Sequence, residues 1–248
     1  MSNQLKSALQ LWRFLTPTAI GFTSKNIAHA LIDKLQGNPP RTTLAAEFVR
    51  AYAEKNNPRD VLQQLDRFAR ERRWLMSVGP DKGPLIEEMA GKLPENARIL
   101  ELGAYCGYSA IMMADRFGEG AHITSIEYNE DAVEAARSNV GMAGLSEQVS
   151  FVHGPSTKMI EQLDGSFDLV FLDHMKDLYK QDLMLLEKKG LVREGTIVVA
   201  DNVGEIFGAT EYLEYVRGCG NFVSENRPAT IEYTSVKDAV EISVYKSI

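Results

Sequence analysis

Two apolar runs end in oxygen-bearing side chains. Phe167-Asp-Leu-Val-Phe-Leu stops at Asp173, and Thr196-Ile-Val-Val-Ala stops at Asp201 and Asn202. Runs of Val, Ile and Leu of this length suit strands buried on both faces of a parallel sheet. In open α/β sheets, ligands bind beyond the carboxyl ends of the strands, where strand order reverses. Two such strands side by side gather three hard oxygen donors, a set that suits Mg²⁺ or Ca²⁺ better than zinc. Helix capping explains one acid after a strand easily, and two acids plus an asparagine poorly.

Positioning these side chains requires alternating strands and helices, and the chain supplies them from Arg98 onward. Expected strands are Arg98–Leu102, His122–Glu127, Val149–Val152, Phe167–Leu172, Thr196–Ala200, Asn221–Glu225 and Val240–Tyr245. Expected helices are Gly107–Phe117, Glu130–Ala143, Ser156–Leu163, Asp177–Lys189 and Thr210–Val216. No helix separates the last two strands, which predicts a closing antiparallel hairpin on an otherwise parallel sheet.

The first strand runs into Glu101-Leu-Gly103-Ala-Tyr-Cys-Gly107-Tyr-Ser109. Glycines there let a ligand approach backbone N–H groups at a helix start. The spacing is Gly-x-x-x-Gly, neither the dinucleotide fingerprint nor a phosphate loop. Glu127 closes the second strand 20 positions after Gly107 (127 − 107), where an acid accepts hydrogen bonds from a ribose diol. A nucleoside without a pyrophosphate points to S-adenosylmethionine.

Before Trp74 the chain reads as helical, with segments at Asn26–Leu35, Leu44–Lys55 and Arg59–Trp74, the second capped by Thr42 or Thr43. Leu9 to Leu15 reads as an amphipathic helix because Arg13 interrupts a signal-like core. Arg67, Arg70, Arg72 and Arg73 are expected on a solvated face of the third segment. Residues 1–60 are expected as a helical extension and 61–248 as the catalytic domain. Of 248 residues, 44% are hydrophobic and 25% charged, ordinary for a globular chain. The net charge of −7 argues against a nucleic-acid surface. Cys106 and Cys219 are the only cysteines, so no disulfide framework is expected, and Cys106 is read as a small buried residue. No apolar run reaches membrane-spanning length, so a cytoplasmic protein is expected.

Several ordered motifs carry a family resemblance. Glu101-Leu-Gly-Ala-Tyr-Cys-Gly-Tyr-Ser-Ala110, Leu172-Asp-His-Met-Lys-Asp177, Leu185-Leu-Glu187, Ala200-Asp-Asn-Val203 and Val216-Arg-Gly218 resemble catechol O-methyltransferase. The match runs from about residue 67 to 246. It implies the Rossmann-like class I methyltransferase fold, an α/β architecture of seven strands with the last antiparallel. It also implies S-adenosylmethionine and Mg²⁺ as cofactors and a small-molecule catechol as acceptor, with oligomeric state, monomer or dimer, left open. Asp173, Asp201 and Asn202 would coordinate the Mg²⁺. Lys176 would be the general base, since a lysine beside a cation gives up its proton more readily. Glu232 would hydrogen-bond the second acceptor hydroxyl; by sequence alone it is a strand-edge acid. The cofactor would meet Val78, Glu101, Gly103, Tyr105, Ser109, Glu127, Tyr128, Ser156, Thr157, Asp173 and His174. The acceptor would meet Trp74, Met175, Lys176, Asn202 and Glu232.

Two departures stand out. Met175 replaces a tryptophan usual in the family, and Gly204-Glu-Ile-Phe207-Gly208 replaces a proline-containing wall. Both bear on acceptor shape and on which oxygen is methylated. The rival readings are a cation-dependent methyltransferase for another vicinal diol, such as a phenylpropanoid or secondary metabolite, and a non-catalytic S-adenosylmethionine-binding module.

Overall fold

The computed structural model describes residue 33 and residues 35–246. The expected segments Leu9–Leu15 and Asn26–Leu35 lie outside these residues, apart from positions 33 and 35.

Seven strands form one sheet in the order β3-β2-β1-β4-β5-β7-β6. They are β1 (Arg98–Leu102), β2 (His122–Glu127), β3 (Val149–His153), β4 (Leu169–Leu172), β5 (Ile197–Ala200), β6 (Phe222–Thr230) and β7 (Lys237–Tyr245). The first five pair in parallel, and β7 runs antiparallel to both β5 and β6. The closing hairpin is therefore present, with each strand nine residues long, longer than expected. Chain order reverses between β1 and β4, which puts the ligand-binding crevice over their carboxyl ends.

The pleat splits the strand side chains between two cores. Ile99, Phe171 and Val199 face one core, and Leu100, Val170 and Val198 face the other. The first core is covered by α1 (Arg41–Tyr52), α2 (Pro58–Glu71), α3 (Gly79–Glu87), α4 (Tyr108–Phe117) and α5 (Glu130–Ala143). The second is covered by α6 (Ser156–Ile160), α7 (Tyr179–Lys188) and α8 (Thr210–Gly218). Helix α1 packs on α5 and sends Phe48 and Val49 into the sheet's own core, and position 60 falls inside α2.

Two local expectations are corrected. Helix α1 begins at Arg41 after Pro40, without a side-chain cap, so neither Thr42 nor Thr43 caps it. It stops at Tyr52, because Asn57 opens the next helix by accepting from the Asp60 N–H at 3.2 Å. Arg67, Arg70 and Arg72 are exposed, as expected of a solvated face, and Arg73, just past α2, is half-buried. Arg67 lies over the rings of Phe48 and Tyr52, Arg70 over Tyr233, and Arg73 pairs with Asp33 at 3.0 Å. Cys106 and Cys219 are free thiols, and burial pushes the Cys106 thiol up to about 12.

Candidate functional site

The carboxyl ends of β1, β4 and β5 stay hydrogen-bonded one residue past the strands. The Asp173 N–H donates to the Leu102 carbonyl and the Asp201 N–H to the Leu172 carbonyl, each at 2.9 Å. Asp173 and Asp201 therefore sit side by side on adjacent parallel strands, about 4.8 Å apart by sheet geometry. Asn202 follows at φ 52°, in the left-handed region. Its N–H donates to Asp201 Oδ1 at 2.6 Å and its Nδ2 to Asp238 Oδ2 at 2.9 Å. With Nδ2 occupied, Oδ1 is the atom left to coordinate.

Lys176 follows Asp173 by one turn, at the start of a 3-10 segment (Lys176–Leu178) rather than of an α-helix from Asp177. Its ammonium donates to the Tyr179 hydroxyl at 2.8 Å, the His174 carbonyl at 3.2 Å and Asp173 Oδ1 at 3.3 Å. Three acceptors hold it against β4. To act as a base it must lose one of these protons.

Glu232 is not a strand-edge acid. It lies in the turn between β6 and β7, fully buried, because the hairpin folds its tip back over α3. Trp74 Nε1 donates to its carbonyl at 3.1 Å, and Trp74 packs with Ile206, Phe207, Ile231 and Val236. Thus the Gly204–Gly208 loop contributes an apolar wall beside Trp74. Met175, by contrast, is 69% exposed.

The sequence reading missed Lys82. This lysine of α3 is 0% exposed, and its ammonium reaches Asp201 at 2.7 Å, Glu232 at 2.5 Å and Asp238 at 3.1 Å. The carboxylates hold the lysine charged against the cost of burial. Its only sequence signal is a lysine within Gly79-Pro-Asp-Lys-Gly-Pro84, which reads as an exposed turn.

The charges decide what this corner accepts. Asp173, Asp201, Glu232 and Asp238 face two ammoniums, Lys82 and Lys176, which leaves a net of −2 when all are ionised (2 − 4). Burial, with Asp201 beside them, pushes the Asp173 and Glu232 carboxyls well above the usual carboxylate range, despite the opposing lysines. A divalent cation at Asp173, Asp201 and Asn202 would bring the cluster to neutrality, and hard oxygens are the donors Mg²⁺ takes. Among the described residues no cage of three or more His, Cys, Asp or Glu side chains is present; the candidate set is two carboxylates and an amide.

The other half of the crevice suits a nucleoside. Gly103 has φ 103°, and a Cβ there would collide with the Asp173 carbonyl, so only glycine lets the β1 loop run this close to β4. Glu127 accepts from the Tyr105 N–H at 3.0 Å and the Asn129 N–H at 2.8 Å, fixing its carboxylate at the β2 end. Glu101 is fully buried and accepts from the Ser109 and Ser125 hydroxyls. Ser156 and Thr157 donate to Asp182 at 2.5 and 2.6 Å, and His174 Nε2 lies 2.9 Å from the same carboxylate. Burial holds His174 below its ordinary pKa, hence neutral, so Nε2–H donates and Nδ1 keeps a bare lone pair. That Nδ1 is buried and has no hydrogen-bond partner among the described residues. An N–H donor such as an exocyclic amine of a purine would satisfy it. Val78 is buried where α3 begins, while Tyr128 is 74% exposed at the rim.

Comparison with known proteins places the chain in a family. The O-methyltransferase family matches residues 52–209. Catechol O-methyltransferase B of Danio rerio is 36% identical over 249 residues, covering 95% of this chain and 92% of the relative. Catechol O-methyltransferase of Bos taurus is 40% identical over 208 residues, covering 82% and 75%. Among solved structures, the O-methyltransferase TomG of Streptomyces achromogenes superposes with TM-score 0.65 at 22% identity, covering 82% of this chain and 96% of that one. By these matches the chain belongs to the O-methyltransferase family and is similar, along nearly its whole length, to catechol O-methyltransferases.

Proposed function

We propose that this enzyme moves the methyl group of S-adenosylmethionine to one hydroxyl of a catechol in a Mg²⁺-dependent reaction. The observation that carries the reading is the set of oxygen donors Asp173, Asp201 and Asn202 at the ends of β4 and β5, largely buried, with Lys176 on one side and Glu232 on the other. Two vicinal oxygens of a small aromatic ring match a corner with one base and one hydrogen-bonding acid. When bound, S-adenosylmethionine supplies an electrophilic sulfonium methyl, and Mg²⁺ supplies a Lewis acid that orients and acidifies the acceptor.

The chain's own residues do the rest. Asp173, Asp201 and the Asn202 amide oxygen hold the cation. Lys176 Nζ takes the proton of the reacting hydroxyl and Glu232 accepts from the neighbouring one. Glu127, Glu101 and His174 fix the nucleoside and amino-acid ends of the methyl donor. Val78, Tyr105, Ser109, Tyr128, Ser156 and Thr157 complete that half. The transfer is an in-line displacement, C–S breaking as C–O forms, and no protein nucleophile takes part; holding both reactants in near-attack geometry is the main contribution. Trp74, Ile206 and Phe207 offer the ring an apolar wall. Relatives named as catechol O-methyltransferases support this acceptor class over a bulkier diol.

The test is a methyl-transfer assay over an acceptor panel. Catechol and catecholamine-like acceptors should turn over, and Asp173→Ala should lower kcat/KM by at least 10²-fold. Methylation confined to bulky conjugated diols would overturn the catechol assignment. Binding of the methyl donor without any turnover would leave a binding module instead.

A further inference from the structure

We propose that Lys82 is the positioning residue of the acceptor half of the site. It is a built-in monovalent cation that stays in place when a divalent cation binds beside it. The proposal rests on the metal reading above.

The Lys82 ammonium donates to both oxygens of Asp201 at 2.7 and 2.8 Å and to Asp238 at 3.1 Å and pairs with Glu232 at 2.5 Å, three carboxylates from three places in the chain. Asp201 follows β5, Glu232 lies in the β6–β7 turn, and Asp238 belongs to β7. Each separation exceeds 100 residues, the shortest being 119. No other described side chain is seen hydrogen-bonded or ion-paired with all three. Asp238 passes the constraint on, because its other contacts are Asn202 Nδ2 at 2.9 Å and the Gly204 N–H at 3.1 Å. Lys82 thus fixes Asp201 directly and Asn202 through Asp238, two of the three candidate cation ligands. It fixes Glu232, the candidate acceptor contact, by the same ammonium.

Two observations separate a fixed cation from a placeholder that the metal displaces. First, Lys82 is carried on a closely packed stretch of backbone. Its helix is packed at both neighbouring glycines, since a Cβ on Gly79 would come within 3.0 Å of Glu232 Cγ and one on Gly83 within 3.0 Å of Met112 Sδ. Second, with every group ionised and Lys82 counted in, the cluster carries −2, which one divalent ion would neutralise. Expelling the lysine would leave −3 and three buried carboxylates short of a donor.

The experiment has two arms. In the full-length wild-type protein, labelled with ¹⁵N-lysine, the Lys82 ammonium should give a slowly exchanging ¹H–¹⁵N signal, assigned by its loss in Lys82→Arg. That signal should persist when Mg²⁺ is added. Its disappearance on Mg²⁺ addition would mean displacement and overturn the proposal. In the second arm, Lys82→Met/Asp238→Asn removes one charge of each sign and keeps the cluster at −2, so net attraction for a cation is matched. Mn²⁺ affinity, read by electron paramagnetic resonance, should fall at least tenfold while S-adenosylhomocysteine affinity stays within twofold. Acceptor KM should rise along with the fall in kcat. Unchanged or tighter Mn²⁺ binding would show that Lys82 merely neutralises Asp238. If the double variant does not fold, the wild-type ammonium signal decides alone. Failure of the wild type itself to bind Mn²⁺ would strike the metal reading, and this inference with it.

Discussion

The hydroxyl of Tyr179 stands 2.8 Å from the ammonium of Lys176 and donates to the Leu172 carbonyl at 2.8 Å, with the Asp201 carbonyl 3.1 Å away. One fully buried side chain from the start of α7 thus ties the candidate base to the ends of both strands that carry the candidate metal ligands. The Tyr179 ring also stacks on His174 at 5.0 Å. Tyr179→Phe should keep the ring packing and lose these polar links. A stability loss of about 1–3 kcal/mol is expected for buried groups left unpaired. Methyl transfer should slow roughly tenfold, measured by kcat alongside thermal melting.

Lys176→Met should separate proton transfer from binding. Removing a general base costs about 10²- to 10⁴-fold in rate. The affinity for S-adenosylhomocysteine should change far less than the rate, because Lys176 reaches the cofactor half only through Asp173 Oδ1 at 3.3 Å and the His174 carbonyl at 3.2 Å. Near-normal kcat would assign the base elsewhere.

Glu101 makes folding stability depend on pH. Complete burial pushes its carboxyl from 4.5 up to about 7, even though Ser109 and Ser125 donate to it. A carboxyl raised on folding contributes stability that is fully present below pH 4.5 and is lost as pH rises through 7. Moving a carboxyl from 4.5 to about 7 corresponds to roughly 3 kcal/mol. Glu101→Gln cannot ionise, so wild type should lose up to about that much stability relative to the variant between pH 5 and pH 8. Chemical denaturation across this range checks the slope; parallel curves would contradict it.

Gly103→Ala places a methyl group against the Asp173 carbonyl at a φ of 103°. Strain of this kind costs about 1–3 kcal/mol before the clash is counted. A chain of this size should melt several degrees lower, at about 2–4 °C per kcal/mol. The distortion should also raise the Kd for S-adenosylhomocysteine, which calorimetry reads directly.

The legible parts of the molecule were those written in contiguous sequence. Apolar runs ending in Asp173 and Asp201 fixed two neighbouring strands, and Gly103, Gly107 and Glu127 marked the crevice beside them. Lys82 was illegible because its burial depends on carboxylates at least 119 positions away, and Pro84 within α3 disguises a helix as a turn. Glu232 was misplaced for the same reason. Its burial comes from the hairpin folding back over α3, not from any local pattern. The exposed face of Arg67, Arg70 and Arg72 was legible, but not the partners of these arginines and of Arg73, which come from α1, from Asp33 and from the β6–β7 turn.

The central claim is that buried carboxylates at the ends of β4 and β5 hold a divalent cation that the methyl transfer requires. The most direct measurement is the rate of catechol methylation in excess EDTA and again after Mg²⁺ is restored. The account predicts activity near background in EDTA and full recovery with Mg²⁺; full activity in EDTA would contradict it.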